Sequence, residues 1–380
     1  MNLKKVIASL LSIKIMSTML IGCYNYKDIN RVTFVTSLIF DENEVGNIDI
    51  YLDCVKPYRS SNESSDKGRR VLYKGTGKTV LEAIKDINMY SSSKLDFTQC
   101  KGYIFTEKAA KNGIRKYIDI INKNQEFMIR PYMFVLFGSP EELLNDVTVD
   151  EEYLGVFIDD LVQRMNKSPR VIAIDANDYL ELRTNYGNLL VLGALSIRDD
   201  MEEKRLELSG GALLKNEVLV RRITAEEGMS YNLLMGDLKR GTLEVMNPQD
   251  PNTFITLDIS NAKTKTSISY DGENITLYKD IKVKCLIGES QSRLIVDEKL
   301  LNLLELEEEA VIKQYLELFF ESFKESDIDI VNVGNLFYRK YPDEVLEKDP
   351  ISITNLKINV DVEIDGTTIT GNTLYNKFIF

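Results

Sequence analysis

Residues 102–137, GYIFTEKAAKNGIRKYIDIINKNQEFMIRPYMFVLF, decide the fold class. The opening GYIF (102–105) and the closing YMFVLF (132–137) are rich in aromatic and β-branched residues, the composition of strands. Between them, 107–122 reads as a helix, and Pro140 opens a short helix after the second strand. A β-α-β-α rhythm of this kind lays helices on a sheet.

Upstream, 32–40 (VTFVTSLIF) and 48–55 (IDIYLDCV) read as paired strands joined by a turn at 41–47 containing Gly46. The polar, Ser-rich 57–70 reads as a surface loop. Val80, Ala83, Ile84 and Ile87 then fall at helical spacing and predict a helix over about 79–90. Downstream, 152–166 reads as a helix ending near Pro169, and RVIAI (170–174) as a strand. The charged run 199–205 is an interdomain linker or a hairpin tip. Residues 206–214 and 218–223 form a hairpin across Lys215, Asn216 and Glu217. Thr224, with Glu227 three residues on, caps a helix over 224–236. Strand patterns occupy 253–260, 264–270 and 274–287, with a turn at Asp271-Gly272. The longest helix, about 297–325, carries Leu300, Leu304, Val311, Tyr315, Leu318, Phe319 and Phe323 as its apolar stripe, with Glu307, Glu308 and Glu309 on a solvent-facing turn. A short helix near 334–341 and a strand at 354–364 close the pattern. The reading is α+β, with mixed or antiparallel sheets, packed helices and two to three domains.

The first residues give an address. Lys4 and Lys5 precede an apolar run that ends in Leu20-Ile21-Gly22-Cys23. That is the layout of an export signal with a small-residue cleavage site, and a cysteine at the first mature position is a lipobox. The expectation is a signal peptide over 1–22 and a diacylglyceryl group on Cys23. Lys14 divides the leader, and a charge at mid-membrane costs about 2.5–3.5 kcal/mol, which disfavours a spanning anchor. Two acyl chains hold a protein stably on a membrane. The domains then expected are 23–198 and 206–380.

Composition narrows the chemistry. The chain of 380 residues has a net charge of −12, and losing the three lysines and no acids of 1–22 takes it to −15. Such a body repels nucleic acid and anionic headgroups. Histidine is absent, which excludes Ser-His-Asp and Cys-His catalysis and histidine-ligated metals. Beyond Cys23, the scattered Cys54, Cys100 and Cys285 read as buried free thiols, with a single disulfide as the alternative. Gly75-Thr76-Gly77-Lys78-Thr79 resembles the end of a phosphate loop, but Leu72 stands where the first glycine belongs, so it reads as a turn into a helix. Residues 41–46 begin like a calcium loop, but Val45 and Leu52 occupy ligand positions, leaving a hairpin turn. The acidic groups at 150–152, 159–160 and 307–309 read as solvated faces. No catalytic, cofactor or metal site is expected.

Several segments together resemble the C-subunit lipoproteins of bacterial spore germinant receptors, the Ger(x)C family. They are Gly22-Cys23 with Tyr26-Lys27-Asp28-Ile29-Asn30; the helix start Gly77-Lys78-Thr79-Val80-Leu81-Glu82-Ala83-Ile84; and Lys101-Gly102-Tyr103-Ile104-Phe105-Thr106-Glu107 running to Gly113. Ile129-Arg130-Pro131 and Gly210-Gly211-Ala212-Leu213-Leu214 also align. The strongest local match is Val333-Gly334-Asn335-Leu336-Phe337-Tyr338-Arg339-Lys340-Tyr341-Pro342. Tyr24 departs from the family's usual Trp, and Gln99-Cys100 from a position often held by His. The resemblance implies a non-enzymatic, lipid-anchored subunit on the outer face of the spore inner membrane. It would work with an integral A subunit and a permease-like B subunit to start germination, with Cys23 as its lipid-bearing residue. The rivals are a lipid-anchored solute-binding protein, which would show two similar α/β lobes, and a carboxylate-only hydrolase.

Overall fold

The structure is a computed structural model that describes residues 31–57, 69–148, 151–165, 168–238 and 240–367. In chain order, β1 (Val32–Glu42), β2 (Ile48–Lys56) and β3 (Arg69–Gly77) lead to α1 (Val80–Asn88), β4 (Lys94–Asp96) and β5 (Gly102–Thr106). Next come α2 (Glu107–Lys111), α3 (Arg115–Lys123), β6 (Tyr132–Phe137), α4 (Pro140–Asn145), β7 (Val147–Thr148) and α5 (Leu154–Met165). They are followed by β8 (Ile174–Asp175), α6 (Ala176–Leu182), β9 (Leu189–Asp200), β10 (Glu203–Lys215), β11 (Val218–Ile223) and α7 (Ala225–Met235). The remainder is β12 (Gly241–Met246), β13 (Phe254–Tyr270), β14 (Ile275–Ser290), α8 (Glu298–Lys324), α9 (Val333–Lys340) and β15 (Thr354–Thr367).

The strands form two sheets, a mixed α+β architecture. The larger runs β11-β10-β9-β6-β5-β1-β2-β3, with β4, β7 and β8 attached to β1, β10 and β6. Its middle, β9-β6-β5-β1, is parallel, while antiparallel hairpins extend both ends. Parallel strands are covered on both faces, and all five residues of β5 are accordingly buried. Leu38, Phe40, Tyr103, Phe105, Met133 and Val135 meet α1, α2, α3 and α6 on one face. Their neighbours Ile39, Ile104, Phe134 and Leu136 meet α4 and α5 on the other. Each such side chain contributes about 1.5–3 kcal/mol by leaving water, so the two-sided alternation fixes the register.

The smaller sheet runs β12-β13-β14-β15, antiparallel until β15 joins β14 in parallel. The β13–β14 turn is held by Asp271, whose Oδ1 accepts from the N–H groups of Glu273 (3.0 Å) and Asn274 (2.7 Å). Helix α8 runs beside the edge strand β15. Glu305 and Glu309 accept from the backbone N–H of Ile364 (2.8 Å) and Val362 (3.1 Å). An edge that would otherwise recruit another strand is thereby occupied by carboxylates.

Three sequence expectations change, and one open alternative resolves. The helix expected over 107–122 breaks at Gly113 (φ +91°), where Ile114 N–H turns aside to donate to Glu217 O at 2.8 Å. The strand expected over 170–174 reduces to one bridge, Val171 to Gly210, and the two residues of β8. Asn232 Nδ2 takes the carbonyls of Pro169 (3.0 Å) and Val171 (2.9 Å), so they are not available for a ladder. The run 199–205 is the tip of the β9–β10 hairpin, two strands of one sheet. On α8, the buried stripe is Leu300, Leu304, Glu308, Ile312, Leu316, Phe319, Phe320 and Phe323, whereas Val311, Tyr315 and Leu318 are exposed. Glu308 therefore faces the core rather than solvent.

Candidate functional site

The two sheets meet through α7, α9 and the chain around residue 186. Within β14, side chains alternate in and out, and the buried row reads Ile275, Leu277, Lys279, Ile281, Val283, Cys285 and Ile287. Lys279 is thus a cation in an apolar row, 2% exposed. Its Nζ donates to Leu234 O (2.5 Å) at the end of α7 and to Thr266 Oγ1 (2.9 Å) on β13. Among the described residues, no carboxylate is paired with it directly. Burial brings its pKa down to about 8, against a smaller upward pull from the nearby Asp329.

Asp329 is buried as well. Its two oxygens accept from Val333 N–H and Gly334 N–H, both at 2.7 Å, and so cap the start of α9. Burial raises its pKa, while those two backbone donors act in the opposite direction. Asn332, the residue before the helix, sits in the left-handed region (φ +58°) and makes no side-chain cap, so Asp329 serves in its place.

Helix α9 is a clasp. Asn335 Oδ1 accepts from Tyr186 N–H at 2.8 Å, a contact spanning 149 residues of sequence. The Tyr186 and Tyr338 rings lie 5.2 Å apart. Phe337 meets Tyr270 of β13 edge-on at 5.2 Å, and Lys340 Nζ donates to Ile268 O at 2.5 Å. The helix thus ties the β13–β14 hairpin to the 3-10 turn Tyr186–Asn188 that precedes β9. Gly334 permits the contact: a Cβ there would stand 2.0 Å from Tyr186 Cδ1. Gly334→Ala is expected to cost about 1–3 kcal/mol. It should cost distinctly less in a Tyr186→Ala background, as urea unfolding in a double-mutant cycle will show.

Two cavities open at this junction. One of about 430 Å³ is lined by Asp178, Glu181, Asp237 and Asp329 among apolar neighbours. The other, about 310 Å³, is lined by Lys279, the exposed Arg339, Asn185, Asn335 and Thr266, with Met235, Val331 and Leu336. Met235 and Asn332 border both. An acidic and a basic compartment therefore lie side by side.

Other sequence candidates take structural places. Cys23 and the leader 1–22 lie outside the described residues, as does Asp150. Cys54, Cys100 and Cys285 are buried free thiols, and burial pushes Cys100 and Cys285 up to about 12. Gly75 and Gly77 end β3 rather than form a loop. A Cβ at Gly75 would stand 2.2 Å from Ala83 O, so the glycines let α1 lie close on the strand. Thr79 Oγ1 caps that helix by accepting from Glu82 N–H (3.2 Å). Asp159 pairs with Lys101 at 2.9 Å. Among the described residues no group of three metal-ligating side chains stands together, and no helix is long and apolar enough to cross a membrane. Sequence reasoning misses Lys279, although its place in the alternating β14 row is a local signal.

Comparison with known proteins places this geometry. The profile of the spore germination protein N-terminal domain matches residues 25–197, and that of the spore germination B3/GerAC-like C-terminal domain matches 209–368. The chain belongs to the Ger(x)C family of spore germination proteins. It is 23% identical over 372 residues to spore germination protein GerQC of Bacillus cereus, covering 94% of this chain and 98% of that one. Spore germination protein KC of Bacillus subtilis is 20% identical over 394 residues, covering 94% and 95%. The crystal structure of the GerBC protein shares the fold with a TM-score of 0.54 at 15% identity, covering 86% of this chain and 96% of that one. The family's role is in spore germination, and the clasp helix lies inside its C-terminal region.

Proposed function

We propose that this chain is a lipid-anchored, non-enzymatic subunit of a receptor complex that senses nutrient germinants and triggers spore germination. Cys23 carries the diacylglyceryl anchor after removal of 1–22, and the mature body sits on the outer face of the spore inner membrane. There it contacts an integral A subunit and a permease-like B subunit. The observation that carries this reading is the match of both family profiles across 25–197 and 209–368, immediately after a lipobox. The absence of histidine from the whole sequence supports a contact role over catalysis.

We further divide the mature chain into 23–198 and 206–380. Strand β11 and most of β10 come from the second part yet pair within the larger sheet, so the two parts are expected to unfold together.

Cys23→Ala tests the proposal. The variant is expected in the soluble fraction of spore extracts, with nutrient-triggered germination lost and dormancy release by a receptor-independent agent retained. A variant that stays on the membrane and germinates at the parental rate overturns the anchor.

A further inference from the structure

We infer that the 310 Å³ cavity at the clasp binds a small monocarboxylate with a short apolar tail. Its lining residues bring two cations, Lys279 and Arg339, and no carboxylate. An ammonium has three N–H donors. Lys279 uses two, both on neutral acceptors, so one N–H is unused and the ammonium has no directly paired anion. Burying a charge without a counter-charge is costly, and a bound anion relieves that cost. Arg339 at the rim offers the planar fork that matches a carboxylate. Asn185 and Thr266 add polar groups along the wall, while Met235, Val331 and Leu336 supply an apolar side.

Size and charge limit the ligand. The volume lies at the low end of small-molecule sites, which run from about 300 to 1,000 Å³. Asp329 acts on Lys279 from the neighbouring compartment, where Asp178, Glu181 and Asp237 add further acidity. That field tolerates one negative charge beside the lysine and opposes two, so a monocarboxylate fits better than a phosphate dianion. Asn335 borders the cavity and also holds Tyr186 in the clasp, so the ligand would sit against the contact that joins the two sheets. The inference concerns binding alone and stands apart from the germination reading.

The test is a ligand-observed NMR titration of the purified full chain with sodium butyrate, at constant ionic strength set by sodium chloride. Saturable one-to-one binding is expected, with none for the uncharged butanol. Lys279→Met should weaken butyrate binding about tenfold or more, the loss of a charge-assisted hydrogen bond. Arg339→Gln should weaken it about threefold. If Lys279→Met does not fold, the exposed Arg339→Gln decides the matter, since a rim substitution leaves the core intact. Butyrate that fails to saturate the parent chain, or that binds the folded variants as tightly as the parent, overturns the inference. Phosphate binding more tightly than butyrate overturns the monocarboxylate assignment.

Discussion

Gly155→Ala is expected to destabilise the chain by about 3 kcal/mol or more, seen as a lower midpoint of urea unfolding at unchanged slope. Gly155 is the second residue of α5, and a Cβ there would stand 1.9 Å from Thr36 O and 2.4 Å from Thr36 C. Neither side of that contact yields easily. Thr36 is the bulged residue of the β1–β2 pair, its carbonyl accepts from Lys101 N–H (2.8 Å), and its hydroxyl donates to Asp53 O (2.9 Å). On the helix side, Leu154 N–H donates to Asp53 Oδ2 at 2.7 Å, and Asp53 is fully buried and paired with Arg70 at 3.0 Å. Lifting α5 to admit a methyl group breaks the Leu154–Asp53 bond and unseats Leu154, Phe157 and Ile158. Gly102→Ala is the control, because its added Cβ meets Ile158 of the same helix at an ordinary 3.7 Å. That variant should change stability by less than about 1 kcal/mol. Equal losses in the two variants would show that the close seat on Thr36 is not what holds α5.

What the sequence reveals and hides follows from the range of the forces involved. The β5–α–β6 stretch is legible because each strand is a short apolar run bounded by helix-start or turn signals, all of them local. The Thr224 capping box is legible for the same reason: Thr224 Oγ1 accepts from Glu227 N–H (3.2 Å), and Glu227 Oε2 accepts from Thr224 N–H (2.9 Å). Strand β9 is not assigned from the sequence. Its Leu-rich run suits helix or strand alike, and Gly193 is demanded by Phe134 and Ile172 O, either of which a Cβ would approach to 2.6 Å. The phase of α8 misleads because a stripe of period 3.5 and one of period 3.6 separate over 27 residues, and contact with β14 and β15 chooses between them.

The site divides in the same way. The segment 333–342 stands out by family resemblance, yet its function as a clasp depends on Tyr186, which no local pattern connects to it. Lys279 was legible in principle, as the one charged member of an otherwise apolar alternating row. The cavity beside it is a product of how α7 and α9 pack and has no signature in sequence.

Glu308→Leu is expected to stabilise the chain at pH 8 by about 3 kcal/mol more than at pH 4.5. Glu308 is 3% exposed on α8, with the buried Leu304 and Ile312 one turn to either side. Burial, with smaller contributions from Glu307 and Glu244, raises its carboxyl pKa to about 7, against about 4.3 for a solvated glutamate. Between those two values the folded chain holds a proton that the unfolded chain has released. Unfolding free energy therefore falls as pH rises through this window, and the loss is complete above about pH 7. Leucine carries no proton and removes that slope, so the variant's advantage should grow across the same window and level off beyond it. Paired urea denaturations of parent and variant at pH 4.5, 6 and 8 measure the growth directly. A constant difference across the three would mean that Glu308 is already charged in the folded chain at low pH, and that its contact with the core is wetter than its burial indicates. Cys285, a buried thiol of β14 whose pKa Glu308 helps to raise, supplies an independent check. The Cys285 thiol is fully buried and reacts only when the fold opens, so the stabilised variant should react more slowly than the parent with a thiol reagent at pH 8 under mild denaturation.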